Sequence, residues 1–228
     1  MTTLTEIRKE DPRYAVLYRN SGRITIVDDW NKVAPLKKGH SDATHKKFGS
    51  KELAAQWASG NKPLIRPIGN MPVFYTDGSY NKDMPSYGWS FVCLSENGTM
   101  QEMACGCGSE EGIIEQRNVA GEMIGAMRAV QYAIAKSIKE FEIRYDYAGL
   151  GKWVTGAFKT DSDPSEKYAA WMQKMIGKYN LTIHFLQIPG HTGEYYNEMA
   201  DMLARKGCDV ALTSAETELL DSYKEKIA

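Results

Sequence analysis

The chain carries the run Val73-Phe74-Tyr75-Thr76-Asp77-Gly78, in which four β-forming residues are followed by an acid and a glycine. Two further β-rich segments follow at 87–92 and 99–105, with turn residues such as Asn97-Gly98 between them. Consecutive strands joined by short turns pair in antiparallel fashion. The sequence therefore predicts a three-stranded antiparallel meander that begins at residue 73.

Beyond the meander, helical and strand patterns alternate. Small and apolar residues recur at helical spacing in 119–137, and the other segments with regular patterns are helices at 151–158, 164–178 and 195–206 and strands at 141–145 and 181–188. This order is typical of a mixed sheet covered by helices on both faces. We expect an α/β fold with a five-stranded sheet.

A smaller α+β unit is expected ahead of this fold. Segments 14–18 and 23–27 look like two strands across a turn, and 51–57 looks like a short helix. A Gly-, Pro- and Asn-rich stretch without a regular period then predicts a linker. The predicted divisions are an N-terminal domain at 1–57, the linker at 58–71, the main domain at 72–210 and a helical extension at 211–228.

The charge changes sign at the predicted linker. The whole chain has a net charge of -1, but residues 1–70 hold 13 Lys and Arg against 7 Asp and Glu, which leaves 15 against 22 for 71–228. A basic module suits a polyphosphate partner, and an acidic one suits solubility or a cation site. Drift in solvated surface charge explains the split equally well.

Composition excludes several other classes of protein. With 43% hydrophobic and 25% charged residues the chain is ordinary for a globular protein, and no apolar run is long enough for a membrane span. The four cysteines follow no export signal and lack zinc-ligand spacing, which favours reduced thiols and a cytoplasmic location. They are Cys93, Cys105, Cys107 and Cys208.

Four acids stand where burial is expected. Asp77 and Asp146 follow apolar strands, while Glu122 and Asp201 lie among small residues of helices that should pack on the sheet. Any one of them could be an ordinary cap or turn acid. Together they require compensation, because a buried unpaired carboxylate costs several kcal/mol. Oxygen ligands suit Mg²⁺ or Mn²⁺, and two ions about 3.5–4 Å apart can promote phosphodiester cleavage.

The segments around these acids resemble the signatures of type 1 ribonucleases H, in order along 72–208. They are Tyr75-Thr76-Asp77-Gly78-Ser79, Arg117-Asn118-Val119-Ala120-Gly121-Glu122, Tyr145-Asp146, Pro189-Gly190-His191-Thr192-Gly193 and Asn197-Glu198-Met199-Ala200-Asp201. The resemblance implies an endonuclease that cuts the RNA strand of RNA/DNA hybrids. It also implies metal ligation by Asp77, Glu122, Asp146 and Asp201, proton transfer or product release assisted by His191, and a minor-groove contact by Asn118.

Two departures from this family pattern affect the prediction. Many relatives have a polar pair after the third Asp, whereas this chain has Tyr147-Ala148. Residues 159–164 replace the Lys-rich protrusion that helps some relatives hold substrate. Because the main domain is also acidic, we expect another part of the chain to supply affinity for nucleic acid.

The N-terminal segment resembles the hybrid-binding, or viroplasmin-like, domain that precedes some ribonucleases H. The likeness spans 13–57 and implies that Lys46 and Lys47 neutralise phosphates while Trp30 and Phe48 offer flat faces to the nucleic acid. The alternative is that Trp30 and Phe48 form a small core beneath solvated lysines.

Three functions are compatible with the sequence. The leading one is a metal-dependent endoribonuclease acting on hybrids, with Mg²⁺ as cofactor. The others are a nucleic-acid-binding protein without catalysis and a nuclease of the same fold that acts on another substrate, such as a four-way junction. The sequence indicates a nucleic-acid partner and no membrane, and it leaves protein partners and the preferred metal open.

Overall fold

A computed structural model describes residues 6–8, 13–59, 69–191 and 193–227, which divide into two units. The small unit comprises 13–59 together with 188–195, and the large unit comprises 6–8, 69–187 and 196–227. Of the predicted linker at 58–71, residues 60–68 lie outside the described residues.

The sheet of the small unit has β2 (Arg13–Tyr18) at its centre. It pairs antiparallel with β3 (Ile24–Val27) on one side and β4 (Ala43–Phe48) on the other. The sequence predicts β2 and β3 but not β4, because the polar run at 43–47 shows no apolar alternation. Pairing with β2 makes β4 a strand in spite of that composition.

Each face of this small sheet is covered by one helix. Short α1 (Val33–Lys37) packs Val33 near Val16 and Tyr18, while α2 (Lys51–Ala58) packs its buried residues near Ala15. The start of α2 is set by Ser50, whose side chain accepts a hydrogen bond from the Leu53 N–H at 3.3 Å. The predicted helix at 51–57 and the α+β character of this unit are confirmed.

The large unit contains the predicted meander and the two parallel strands that follow it. Strands β5 (Val73–Asn81), β6 (Ser86–Leu94) and β7 (Met100–Gly108) pair antiparallel. Strand β8 (Glu140–Tyr145) pairs parallel with β5, and β9 (Thr182–Gln187) pairs parallel with β8. The mixed five-stranded sheet is confirmed.

A sixth strand extends this sheet at its edge. Strand β1 (Glu6–Arg8) pairs parallel with β9, with Ile7 opposite Phe185. The strand order is therefore β1-β9-β8-β5-β6-β7. The segment at 6–8, predicted within the N-terminal domain, contributes to the sheet of the large unit.

Helices cover both faces of the large sheet, as predicted. The helices of this unit are α3 (Asn118–Ala135), α4 (Gly149–Thr155), α5 (Asp163–Tyr179), α6 (Tyr195–Gly207) and α7 (Ser214–Ile227). On one face Tyr132 of α3 contacts Phe74 at a ring distance of 6.1 Å, and on the other the Ser90 hydroxyl donates to the Ala200 carbonyl of α6 at 2.7 Å. Within the described residues no helix is both long and apolar enough to cross a membrane.

Candidate active site

Asp77 lies inside strand β5 and not at its end, which corrects the sequence-based expectation. The strand continues to Asn81 because the hairpin with β6 stays paired as far as the Asn81 and Ser86 positions. Asp77 stands opposite Ser90 of β6 and is 7% exposed. Burial of this carboxylate, which the sequence predicts, is confirmed.

Glycines bring helix α3 against the strand that carries Asp77. A Cβ on Gly78 would lie 2.2 Å from the backbone oxygen of Asn118 and 2.3 Å from the backbone nitrogen of Glu122, so no side chain fits there. A Cβ on Gly121 would lie 1.9 Å from the Gly88 carbonyl oxygen. The first turns of α3 therefore touch the sheet backbone, and Glu122 is 2% exposed.

Asp201 reaches the same region from helix α6. The hydrogen bond from the buried Ser90 hydroxyl to the Ala200 carbonyl attaches this helix to β6 beside Asp77. Asp201 is partly exposed and forms an ion pair with Arg205, one turn further along α6, at 3.0 Å. The i,i+4 spacing of Asp201 and Arg205 is a signal that could have identified Arg205 from the sequence.

Asp146 follows directly after β8. Its backbone carbonyl accepts a hydrogen bond from the Gln187 side chain of β9 at 3.0 Å. Its side chain is hydrogen-bonded to Glu122, which also receives a hydrogen bond from the Tyr147 backbone. The Tyr147-Ala148 departure therefore leaves Asp146 beside Glu122.

The four acids, here called the carboxylate cluster (Asp77, Glu122, Asp146 and Asp201), act on one another electrostatically. Burial raises the pKa of Asp77 well above its usual value, and the charges of Asp146 and Asp201 raise it further. Burial likewise raises the pKa of Glu122, with added effects of Asp146 and Asp77. The charge of Glu198, a residue to which the sequence assigns no role, also raises the pKa of Asp77.

The cluster has the chemistry of a divalent cation site. Glu122 Oε2 is buried without a hydrogen-bond partner, and the mutual repulsion of buried carboxylates is relieved by a positive ion. Within the described part of the chain, no three His, Cys, Asp or Glu side chains are placed to hold one ion by themselves. Mg²⁺ suits such sparse ligation, because it commonly binds through one or two carboxylates and keeps several waters.

Two other predicted residues lie at exposed positions. Asn118 is the first residue of α3, and its side chain is available to a ligand. His191 is exposed in segment 188–195 of the small unit and has a φ of 53°. Its catalytic role stays a prediction.

In the small unit the two predicted aromatic residues have different environments. Trp30 is 51% exposed and contacts the rings of Tyr14 and His45 at 5.5 and 5.1 Å. Phe48 is 1% exposed and packs with Leu53 beneath α2. The prediction that Phe48 offers a flat face to nucleic acid is corrected, because its ring is part of the core.

The two predicted lysines point to opposite sides of strand β4. Lys47 pairs with Tyr14 across the strands, on the side of Trp30, whereas Lys46 pairs with Ala15 and its ammonium lies 5.7 Å from the centre of the Phe48 ring. We call the side formed by Tyr14, Trp30, His45 and Lys47 the aromatic face. Tyr14 and His45 were not assigned to a site from the sequence.

Comparison with known proteins assigns the chain to a family. The family model for RNase H matches residues 70–209. The Ribonuclease H of Rhizobium etli is 30% identical over 146 residues, which are 59% of this chain and 89% of that protein. The Ribonuclease H of Ehrlichia ruminantium is 27% identical over 145 residues, or 60% and 93%.

Solved structures share the fold. RNase H1 from Halobacterium salinarum superimposes with a TM-score of 0.52 at 20% identity, covering 62% of this chain and 99% of that one. LC11-RNase H1, solved in complex with an RNA/DNA hybrid, gives the same score, identity and coverage. With a family model over more than half of its length, the chain belongs to the ribonuclease H family of nucleases.

Proposed function

We propose that this protein is an endoribonuclease that hydrolyses the RNA strand of RNA/DNA hybrids with two divalent ions, in the cytoplasm. The observation that carries the proposal is the carboxylate cluster in a chain of this family. Its buried members have raised pKa values, and Glu122 has a buried oxygen without a hydrogen-bond partner. Such a site is costly to maintain without a cation.

The residues of the cluster would hold the ions, Mg²⁺ or Mn²⁺, through carboxylate oxygens. Ions bound there supply an activated water and neutralise charge on the leaving oxygen. Asp77 is held by the Gly78 N–H, which donates to its Oδ1 at 2.7 Å, so its other oxygen is available as a ligand. His191 would carry a proton to or from the reacting groups, because an imidazole side chain can both accept and donate a proton.

Choice of the RNA strand requires contact with 2′-hydroxyl groups, which line the wide minor groove of a hybrid. Asn118 is suited to this contact, because its amide can both donate and accept and its side chain is exposed at the start of α3. Its backbone lies against Gly78 of the strand that carries Asp77. Asn118 is also one helical turn before Glu122 on α3.

The small unit would add affinity through the aromatic face. Trp30 is exposed beside two other rings, and Lys37 adds a cation through its contact with His45 at 3.2 Å. Exposed rings beside lysines bind nucleic acid by stacking and by neutralising phosphates. Lys46 is on the opposite side of β4 and contributes less to this surface.

Cleavage assays test the proposal. The full-length protein is incubated with Mg²⁺ and an RNA/DNA hybrid, duplex DNA, duplex RNA or a four-way junction of equal length. We expect cuts in the RNA strand of the hybrid alone, leaving 3′-hydroxyl and 5′-phosphate ends, and none for Asp77→Asn. Preferential cutting of the junction would favour a different nuclease, and binding without cutting any substrate would favour a non-catalytic protein.

A further inference from the structure

Arg205 of α6 connects Asp201 to the C-terminal helix α7. Its Nε donates to Asp201 Oδ2 at 3.0 Å and its Nη2 donates to Glu216 Oε1 at 2.5 Å. The Arg205 and Glu216 side chains are only 22% and 27% exposed, so solvent screens their ion pair less than a surface pair. One guanidinium thus serves two carboxylates from two helices.

Glu216 is itself held in place at the start of α7. Its Oε2 accepts hydrogen bonds from the backbone N–H of Thr213 at 2.7 Å and from the Thr213 hydroxyl at 3.0 Å. The Glu216 N–H donates to the Thr213 hydroxyl in return, at 3.3 Å. The cap uses Oε2 of Glu216 and the ion pair with Arg205 uses Oε1, so Glu216 can make both interactions at the same time.

Helix α7 is fixed against the sheet and is not a loose extension. Leu220 of α7 is fully buried. A second ion pair joins the same two helices, between Lys206 of α6 and Asp221 of α7 at 3.8 Å, and it involves neither Arg205 nor Asp201. Glu216 is therefore presented to Arg205 by a packed element.

We propose that Glu216 and Arg205 are positioning residues that orient Asp201 for metal binding, which makes α7 part of the support of the active site. Arg205 engages Oδ2 of Asp201, which leaves Oδ1 available to a cation. The inference rests on the proposed metal-dependent function.

The charge of Glu216 is as important as its hydrogen bond. A lone guanidinium beside a metal ligand repels a divalent ion, whereas a guanidinium shared with Glu216 is neutralised. Without Glu216, Arg205 is also free to turn its planar fork onto both oxygens of Asp201, as Arg and carboxylate commonly pair. Removing the charge of Glu216 therefore weakens metal binding at a distance.

The test measures Mn²⁺ binding to the full-length, substrate-free protein by electron paramagnetic resonance. Glu216→Gln keeps the shape of the side chain and is expected to raise the Mn²⁺ dissociation constant about fivefold, somewhat below the effect of losing a direct partner of a metal ligand. Asp221→Asn is the matched control, because it removes the other ion pair between α6 and α7. Its Mn²⁺ affinity should equal that of the unmodified protein.

Arg205→Lys is the second variant, and it keeps the test decisive if Glu216→Gln does not fold. Lysine keeps the charge but lacks the fork that reaches two carboxylates, so Mn²⁺ affinity should fall by a similar factor. The Mg²⁺ concentration for half-maximal cleavage should rise in parallel, with little change in kcat at saturating Mg²⁺. Thermal melting of the metal-free variants should shift no more than for Asp221→Asn.

Unchanged Mn²⁺ affinity in Glu216→Gln and Arg205→Lys overturns the inference, and so does equal weakening in Asp221→Asn. Neither result contradicts the proposed function if the unmodified protein still cuts hybrids and Asp77→Asn abolishes cleavage. Lack of Mn²⁺ binding by the unmodified protein overturns both the metal site and the inference.

Discussion

The carboxylate cluster of the large unit and the aromatic face of the small unit are assembled in different ways. The cluster draws Asp77 from one strand, Asp146 from the position just after another strand, and its other two acids from two helices. Backbone contacts through Gly78 and Gly121 bring helix α3 against the sheet. The aromatic face comes largely from neighbouring strands of one sheet, where alternation alone decides which side a residue occupies. Long-range packing therefore decides the first site, and local periodicity decides the second.

This difference has an energetic side. The cluster places like charges in a buried setting, so it is unfavourable until a ligand compensates it. The aromatic face is exposed at Trp30 and carries no such cost. The ring of Phe48 is buried on the opposite side of the same sheet and is not part of this face. Substitutions in the cluster should thus affect activity and stability strongly, and substitutions on the aromatic face should affect affinity.

The largest expected effect follows from removing a charge of the cluster. Asp77→Asn or Asp146→Asn removes a ligand charge with little change in shape. The transition state should lose several kcal/mol of stabilisation, so the cleavage rate should fall about a thousandfold or more. Binding of the hybrid, measured by fluorescence anisotropy, should persist. Near-normal turnover of Asp146→Asn in Mg²⁺ would show that the third ligand is another residue.

His191 belongs to the small unit and should matter less than the cluster. His191→Ala should lower kcat about a hundredfold, the lower end for a general acid or base, because water can replace a proton carrier at some loss. The measurement is the pH profile of kcat for both proteins. The loss of kcat in His191→Ala should be smaller at pH values where buffer or hydroxide can transfer the proton in place of the side chain. Complete inactivation at every pH would mean that His191 does more than transfer protons.

The sequence predicts the acids of the cluster better than their surroundings. Asp77, Glu122, Asp146 and Asp201 are recognisable because acids in apolar strands and among small helical residues are unusual. The predicted burial is confirmed for Asp77 and Glu122, whereas Asp146 and Asp201 are only partly buried and act on Asp77 through their charges. The position of Asp77 within β5 depends on how far the hairpin remains paired. That length is not visible in the short apolar run at 73–76.

The sequence-based predictions for the small unit that the structure corrects have a single physical cause. Strand β4 lacks apolar alternation, so neither the strand nor the separation of its two lysines is visible in the sequence. Once β4 pairs with β2, Phe48 must face the α2 side and His45 the Trp30 side. The link between Arg205 and Glu216 is equally hidden, since it depends on the packing of α7.

A stability measurement sharpens the energetic contrast. Because the folded-state pKa of Asp77 is raised, the folded protein binds more protons than the unfolded one, and stability should fall as pH rises from the unfolded pKa towards the folded one. Asp77→Asn should therefore stabilise the metal-free protein at neutral pH, by about 1–3 kcal/mol. Urea denaturation of both proteins at pH 4 and pH 7 should show the gain mainly at pH 7. A loss of stability at pH 7 would mean that the charge of Asp77 is already compensated.

Trp30→Ala tests whether the aromatic face supplies affinity. Loss of a stacking surface should raise KM for the hybrid about tenfold with little change in kcat, because the cluster is intact. The salt dependence of binding should stay the same, since an aromatic ring releases no counterions. An unchanged KM would leave the small unit with a role other than substrate binding.

The smallest and most discriminating effect separates Lys46 from Lys47. The two residues are adjacent, so a basic patch read from the sequence treats them as equal, but they point to opposite sides of β4. If the hybrid lies on the aromatic face, Lys47→Ala should reduce the slope of log K against log salt by about one unit, the value for one phosphate contact. Lys46→Ala is the matched control and should leave the slope nearly unchanged, because its ammonium lies over Phe48 on the α2 side. A larger loss for Lys46→Ala would place the bound hybrid on the other side of this sheet, and equal slopes for the two variants would show that the hybrid does not prefer the aromatic face.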